Sequence, residues 1–165
     1  ETPSGPSWPN GAQVAEVEID EQTGQVEVTH VFSVHDAGTI GNAQVLDGQV
    51  HGGIVHGLGQ ALFEQAMYTS EGQLLTSNLS EYALPRATQL PNFDIASMVT
   101  PTPHTAFGAK GAGELGTIGV AAAVANAVCD ALADLGIRHL DMPFTPEKVW
   151  RAMRDAQANG GSRRA

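Results

Sequence analysis

Residues 42–67, NAQVLDGQVHGGIVHGLGQALFEQAM, carry apolar side chains at Val45, Val50, Ile54, Leu58, Leu62 and Met67, with Val55 beside them. That spacing is close to the period of a helix, and Asn42 is placed to cap it. Yet Gly48, Gly52, Gly53, Gly57 and Gly59 fall inside the same segment. Each costs about 1 kcal/mol relative to Ala in a helix interior. A helix keeps such residues where another backbone or a ligand must come very close. Gly48, Gly52 and Gly59 fall near one face of it. The fold has to supply that close neighbour.

A second glycine cluster, GAKGAGELGTIG, spans 108–119 and runs into the small-residue stretch VAAAVANAV. Gly111, Gly113 and Gly116 spell G-x-G-x-x-G, but a dinucleotide site needs an apolar strand leading into the first glycine. The residues in front are PTPHTAFGAK, with two prolines and two polar residues. A phosphate-binding Walker loop is excluded as well, because Lys110 precedes the glycines. Backbone N–H groups at a helix start attract anions, and glycines let a flat or phosphate-bearing group approach the main chain. Glu114 stands at that helix start, where the dipole favours a carboxylate. Two readings stay open on these residues alone. Glu114 complements the helix dipole, or it is a fixed general base.

The rest of the chain mixes strands and helices without a regular βαβ alternation, which predicts an α+β fold. AQVAEVEID sets Val14, Glu16 and Glu18 against Ala15, Val17 and Ile19. QVEVTHVFSVHDAG alternates again after the turn EQTG, so the two read as a hairpin. A turn at Glu71–Gly72, a short strand and a proline-punctuated excursion lead to a strand at about Phe93–Val99. An Ala-rich helix ends at Gly136. A last helix, TPEKVWRAMRDAQ, has Thr145 as N-cap and Pro146 at its first position. The expected organisation is an irregular arm over 1–11, one folded portion over 12–158 and a disordered tail over 159–165. The small-residue stripe and the glycine-rich helix both need surfaces to pack on, which favours an obligate partner.

Composition narrows the function. A hydrophobic fraction of 42% and a charged fraction of 16% belong to a folded chain. Eighteen acidic and eight basic residues give a net charge of −10, which argues against nucleic-acid binding. Cys129 is the single cysteine, so this chain alone offers neither a disulfide framework nor a cysteine-held cluster. It reads as a small core residue. The lack of disulfides suits a reducing compartment, and no apolar run has the ~18 residues of a membrane span. His51 and His56 lack the i, i+4 spacing of a helical metal pair. His35 and Asp36 are adjacent on a strand and point to opposite faces. Ser33, Ser77 and Ser80 lack a nucleophile-elbow setting, and Asp130 with Asp134 reads as a solvated helix face. Gln49, in DGQVHGG, offers an amide with two donors and an acceptor.

Several of these segments, in this order, resemble one family. They are PNGAQVAEVEIDEQTGQVEV, HDAGTIGNAQVLDGQVHGGIVHGLGQALFEQ, GQLLTSNLSEYALPRATQLPNFDI, GAKGAGELGTIGVAAAVANAVCDAL and LDMPFTPEKVWRAM. Together they are similar to the C-terminal end of the molybdenum-cofactor subunit of the xanthine oxidase family. That family includes xanthine dehydrogenase, aldehyde oxidoreductases, carbon monoxide dehydrogenase and N-heterocycle hydroxylases. The resemblance implies that Glu114 is the catalytic glutamate, acting as base toward a hydroxyl on molybdenum. It implies that Gln49 hydrogen-bonds the molybdenum cofactor and that Lys110, Gly111, Ala112 and Gly113 run along it. It implies no metal-ligating side chain, since the pterin dithiolene and small inorganic ligands hold the metal. DAGTIGNA departs from the family's D-C-G-x-x-x-N-P at Ala37 and Ala43, two structural changes.

The implied activity is a molybdenum hydroxylase. Such an enzyme oxidises an aldehyde or an N-heterocyclic carbon of a small-molecule substrate with water-derived oxygen. The family's subunit is several times longer than this chain. The chain is therefore expected to be the C-terminal part of a split or cleaved subunit, inactive by itself. Its cofactor, as molybdopterin or molybdopterin cytosine dinucleotide, is shared with the remainder of the subunit. An iron–sulfur subunit with 2Fe–2S clusters and an FAD subunit are the further partners, and neither nucleic acid nor membrane is among them. The expected location is the bacterial cytoplasm, with the periplasm left open. The alternatives are a non-catalytic stabilising chain of such a complex and a nucleotide-binding domain built on Gly111–Gly116.

Overall fold

The computed structural model describes residues 5–161. The remaining parts of the expected arm and tail, residues 1–4 and 162–165, lie outside the described residues. Strands β1 (Asn10–Ile19) and β2 (Val26–Asp36) form the expected antiparallel hairpin, closed by a turn in which Gly24 N–H donates to the Asp20 carbonyl at 2.7 Å. Strand β3 (Asn92–Ser97) lies on the other side of β2 and runs parallel to it, so the sheet is mixed, in the order β1-β2-β3. Residues 73–76 make an isolated bridge, Tyr68 with Leu74, rather than the expected short strand.

The β1–β2 register shifts at Glu16/Val17, where Thr29 is left without a partner. This bulge reverses the alternation of β2. Val26 and Val28 are buried before it, and Val31, Ser33 and His35 after it. Phe32 and Val34 therefore point away from the core, 38% and 39% exposed, while polar Ser33 and His35 are buried. An extra residue on one strand shifts every later side chain to the other face.

Helix α1 (Ala43–Leu62) begins at Asn42, whose Oδ1 accepts the Val45 N–H at 3.0 Å. Its buried stripe is Leu46, Val50, Ile54, Leu58 and Leu62. Val45 is exposed, and Met67 lies beyond the helix end. Helix α2 (Leu115–Ala131) packs on α1 and over β1, burying Val120, Ala121, Val124 and Val128. Its last turn tightens into a 3₁₀ turn at Ala133–Leu135, and the run stops at Gly136, φ +79°. That left-handed conformation is open to glycine at no steric cost. Helix α3 (Pro146–Gly161) closes the core with Val149 and Met153. Its helical backbone continues past Gln157, the end expected from the sequence, as far as Gly161.

The glycines of α1 divide into two groups. A Cβ on Gly53 would lie 2.9 Å from Gly116 Cα, and one on Gly57 would overlap Val120. The two helices thus meet backbone to backbone at Gly53, Gly57 and Gly116. Gly48 and Gly52 have open space where a Cβ would stand. The face expected to receive a close neighbour was Gly48, Gly52 and Gly59; instead α2 comes close at Gly53 and Gly57, Gly59 packs against Glu64 and Pro85, and Gly48 and Gly52 stay uncovered.

Candidate functional site

The loop of residues 98–114 carries Glu114 to the start of α2. Its beginning and end are drawn together under the end of β2. Lys110 N–H donates to the Ala37 carbonyl at 2.8 Å, and Thr39 and Thr102 N–H both donate to the Gly108 carbonyl at 3.0 Å. Gly38, φ +66°, lets the chain turn there, and a side chain at that position would strike the Gly108 carbonyl. The Asp36 carboxylate organises the rest. It accepts the Gly38 N–H at 2.8 Å and the Thr100 N–H at 3.2 Å, and it pairs with Lys110 Nζ at 2.9 Å. Both side chains are buried, 9% exposed for Lys110 and 6% for Asp36. The ammonium, with the two backbone N–H groups, holds the Asp36 carboxyl far below the usual carboxylate range.

Two more side chains hold the loop as it becomes a helix. Gln49 Nε2 on α1 donates to the Gly113 carbonyl at 2.8 Å. Gln13 Nε2 on β1 donates to the Gly116 carbonyl at 3.0 Å, with Leu115 O at 3.4 Å and Ser33 Oγ at 3.3 Å. Residues 110–116 are thus fixed from β2, α1 and β1.

Inside this frame Glu114 is the N-cap residue of α2, yet its side chain makes no capping bond and is exposed. Among the described residues its carboxylate has neither hydrogen-bond nor ion-pair partner. Here the carboxylate is free to meet something outside the chain. Gly111 and Gly113, beside it, have open space in place of a Cβ, as Gly48 and Gly52 do. Ala112 is half-buried against the core. The site that results is an open glycine face, an amide and an unpaired carboxylate.

The structure thus brings Gln49, Gly111, Gly113 and Glu114 to one place. Lys110 lies in the same loop, but its ammonium is turned inward to Asp36. Gln13 and Asp36 were absent from the sequence-based site. Their partners lie 103 and 74 positions away in the chain, and no local pattern announces such pairs.

The remaining candidates stand apart. His35 is buried, and burial lowers its pKa. Its Nε2 meets Ser97 Oγ at 3.1 Å rather than Asp36, so the two adjacent residues form no dyad. His51 Nδ1 lies 2.7 Å from the Asp47 carbonyl, and His56 is exposed. Asp130 and Asp134 lie on exposed surface, as expected. Among the described residues, no three His, Cys, Asp or Glu side chains gather as a metal cage, and no helix is long and apolar enough to cross a membrane. The dinucleotide motif lacks its context. Strand β3 ends at Ser97, well before Gly111, and Gly116 is spent on the contact with α1.

Residues 1–91, more than half of the sequence, match the family model of the molybdopterin cofactor-binding domain. The chain belongs to this family. The molybdopterin cofactor-binding domain seen here is 45% identical over 149 residues to the nicotine 6-hydroxylase large subunit of Paenarthrobacter nicotinovorans, covering 90% of this chain and 18% of that protein. Among solved structures, quinoline 2-oxidoreductase from Pseudomonas putida 86 matches with a TM-score of 0.83 and 40% identity. That match covers 88% of this chain and 19% of the other. A Cu,Mo-containing carbon monoxide dehydrogenase matches with a TM-score of 0.87 and 32% identity, over 90% of this chain and 19% of the other. The domain thus spans under a fifth of the length of the relatives it matches. These matches confirm the α+β molybdenum-hydroxylase fold expected from the sequence. The family model stops before the Glu114 loop, and the longer matches run over about nine-tenths of the chain.

Proposed function

We propose that this domain is the part of a molybdenum hydroxylase that supplies the catalytic base and one wall of the molybdopterin site. The observation that carries the reading is the unpaired Glu114 carboxylate beside Gly111 and Gly113, whose Cβ positions face open space, with Gln49 of α1 bonded across to the same loop. A flat pterin fits such a surface, because main chain without side chains lets it approach closely. The Gln49 amide, the carbonyls and N–H groups of Gly111, Ala112 and Gly113, and the main chain of Lys110 are the groups that would hold it.

When bound, the cofactor supplies the two-electron oxidation of a substrate carbon. With the cofactor bound, Glu114 would serve as the base, accepting a proton on a carboxylate oxygen. Gln49, by holding Gly113, keeps the loop at a fixed distance from α1. The substrate is an electron-poor carbon, and an N-heterocycle is favoured over an aldehyde by the two relatives named for nicotine and quinoline. The cofactor takes the molybdopterin or molybdopterin cytosine dinucleotide form. The remainder of the molybdenum subunit completes the site, with 2Fe–2S clusters and FAD on companion subunits to carry electrons away. The complex works in the bacterial cytoplasm or the periplasm.

The test is Glu114→Gln in the assembled enzyme. It is expected to keep its molybdenum and lose at least about 10²-fold in kcat, the scale of a general base. Undiminished turnover would leave the domain as a non-catalytic, stabilising portion of the complex.

A further inference from the structure

We infer that the buried Asp36–Lys110 pair is the positioning device of the base loop, acting through the main chain of residues 111–113 to set where Glu114 stands. The inference rests on the function proposed above.

Four observations carry it. Lys110 lies four residues before Glu114, and its ammonium is turned away from the open glycine face into a 2.9 Å contact with Asp36. It is therefore unavailable as a direct contact to an anionic ligand. Asp36 bonds both ends of the loop at once, Thr100 N–H at its beginning and Lys110 Nζ at its end. Asp36 is also the last residue of β2, so the reference point is the sheet itself. Beyond Lys110, Gly111 and Gly113 have no contacting neighbour at their Cβ positions, so only the small Ala112 side chain packs against the core there. What fixes it is an anchor on each side: Lys110 to Asp36 before the glycines, and Gln49 with Gln13 after them. A glycine segment without such anchors would sample many conformations. A displacement of the reacting group by 1 Å is enough to cost about 10²-fold in rate.

A buried pair of this kind also has a purely structural reading, as a contributor to folding. The two are separated by kinetics in the complete holoenzyme carrying Lys110→Met. The positioning role predicts a kcat lowered about 10- to 100-fold, with KM and molybdenum content within about twofold of the parent. Lys110→Arg, which keeps the charge, recovers most of the lost kcat. Hydrogen exchange at residues 111–115 rises in the Met variant, while β1 and α1 are unchanged. If Lys110→Met fails to assemble, the double variant Asp36→Asn/Lys110→Met, which leaves no lone buried charge, carries the same test. Unchanged kcat and unchanged exchange in the loop would overturn the proposal. So would a loss of kcat in step with molybdenum content that Lys110→Arg does not restore. Failure of the underlying function would look different: Glu114→Gln itself would then keep full turnover.

Discussion

Where α1 crosses α2, Gly53 and Gly57 meet Gly116 and Val120 so closely that no side chain fits between them. On another face of the same helix, Gly48 and Gly52 have open space where a side chain would stand, as do Gly111 and Gly113 in the loop before α2. The residue type is the same, and so is its cost to a helix. In the first group the cost is offset within the chain, by the close approach of two helices. In the second group nothing within the chain offsets it. A glycine that gains nothing from its own fold is a mark of something outside, and two of the four uncovered glycines, Gly111 and Gly113, stand in the loop beside Glu114, whose carboxylate has no partner among the described residues. The difference teaches that glycine content reports close approach, while only the packing says to what.

The comparison can be broken by adding side chains to each group. The largest effect belongs to the first. Gly116→Val places a branched side chain against the Val50 carbonyl and the Gly53 backbone, which cannot move aside as a side chain could. Destabilisation of more than about 3 kcal/mol is expected, beyond ordinary overpacking, and is read as loss of the assembled protein in thermal unfolding. The smallest effect belongs to the second group. Gly52→Ala meets no neighbour in the chain and removes a poor helix former, so the unfolding free energy should rise by up to about 1 kcal/mol. A marked loss of stability there, in the cofactor-free protein, would show that Gly52 packs against its own chain after all.

Much of this was legible beforehand. Asn42, the apolar stripe of α1, the hairpin and the break at Gly136 follow from local patterns, because the bonds that decide them lie within a few residues. Glu114, Gln49 and the glycine loop were legible as types and spacing, and the resemblance gave them roles. What was not legible depends on distant partners. The Thr29 bulge is a mismatch between two strands, so the inward turn of Ser33 and His35 is invisible in β2 alone. The rule for adjacent strand residues correctly separates His35 from Asp36. It could not foresee that a later loop would bury Asp36 and give it Lys110. Gln13 reads as an ordinary strand residue until α2 is laid over β1.

The central claim is that the uncovered glycines receive the molybdenum cofactor. It is tested most directly by the molybdenum-to-protein ratio of the assembled enzyme carrying Gly113→Val. The Cβ of that side chain meets nothing in the chain, and the side chain occupies the surface beside Glu114 and Gln49. The account predicts an assembled protein with native stability and a molybdenum content reduced at least severalfold. An assembled variant with its full complement of molybdenum would contradict it.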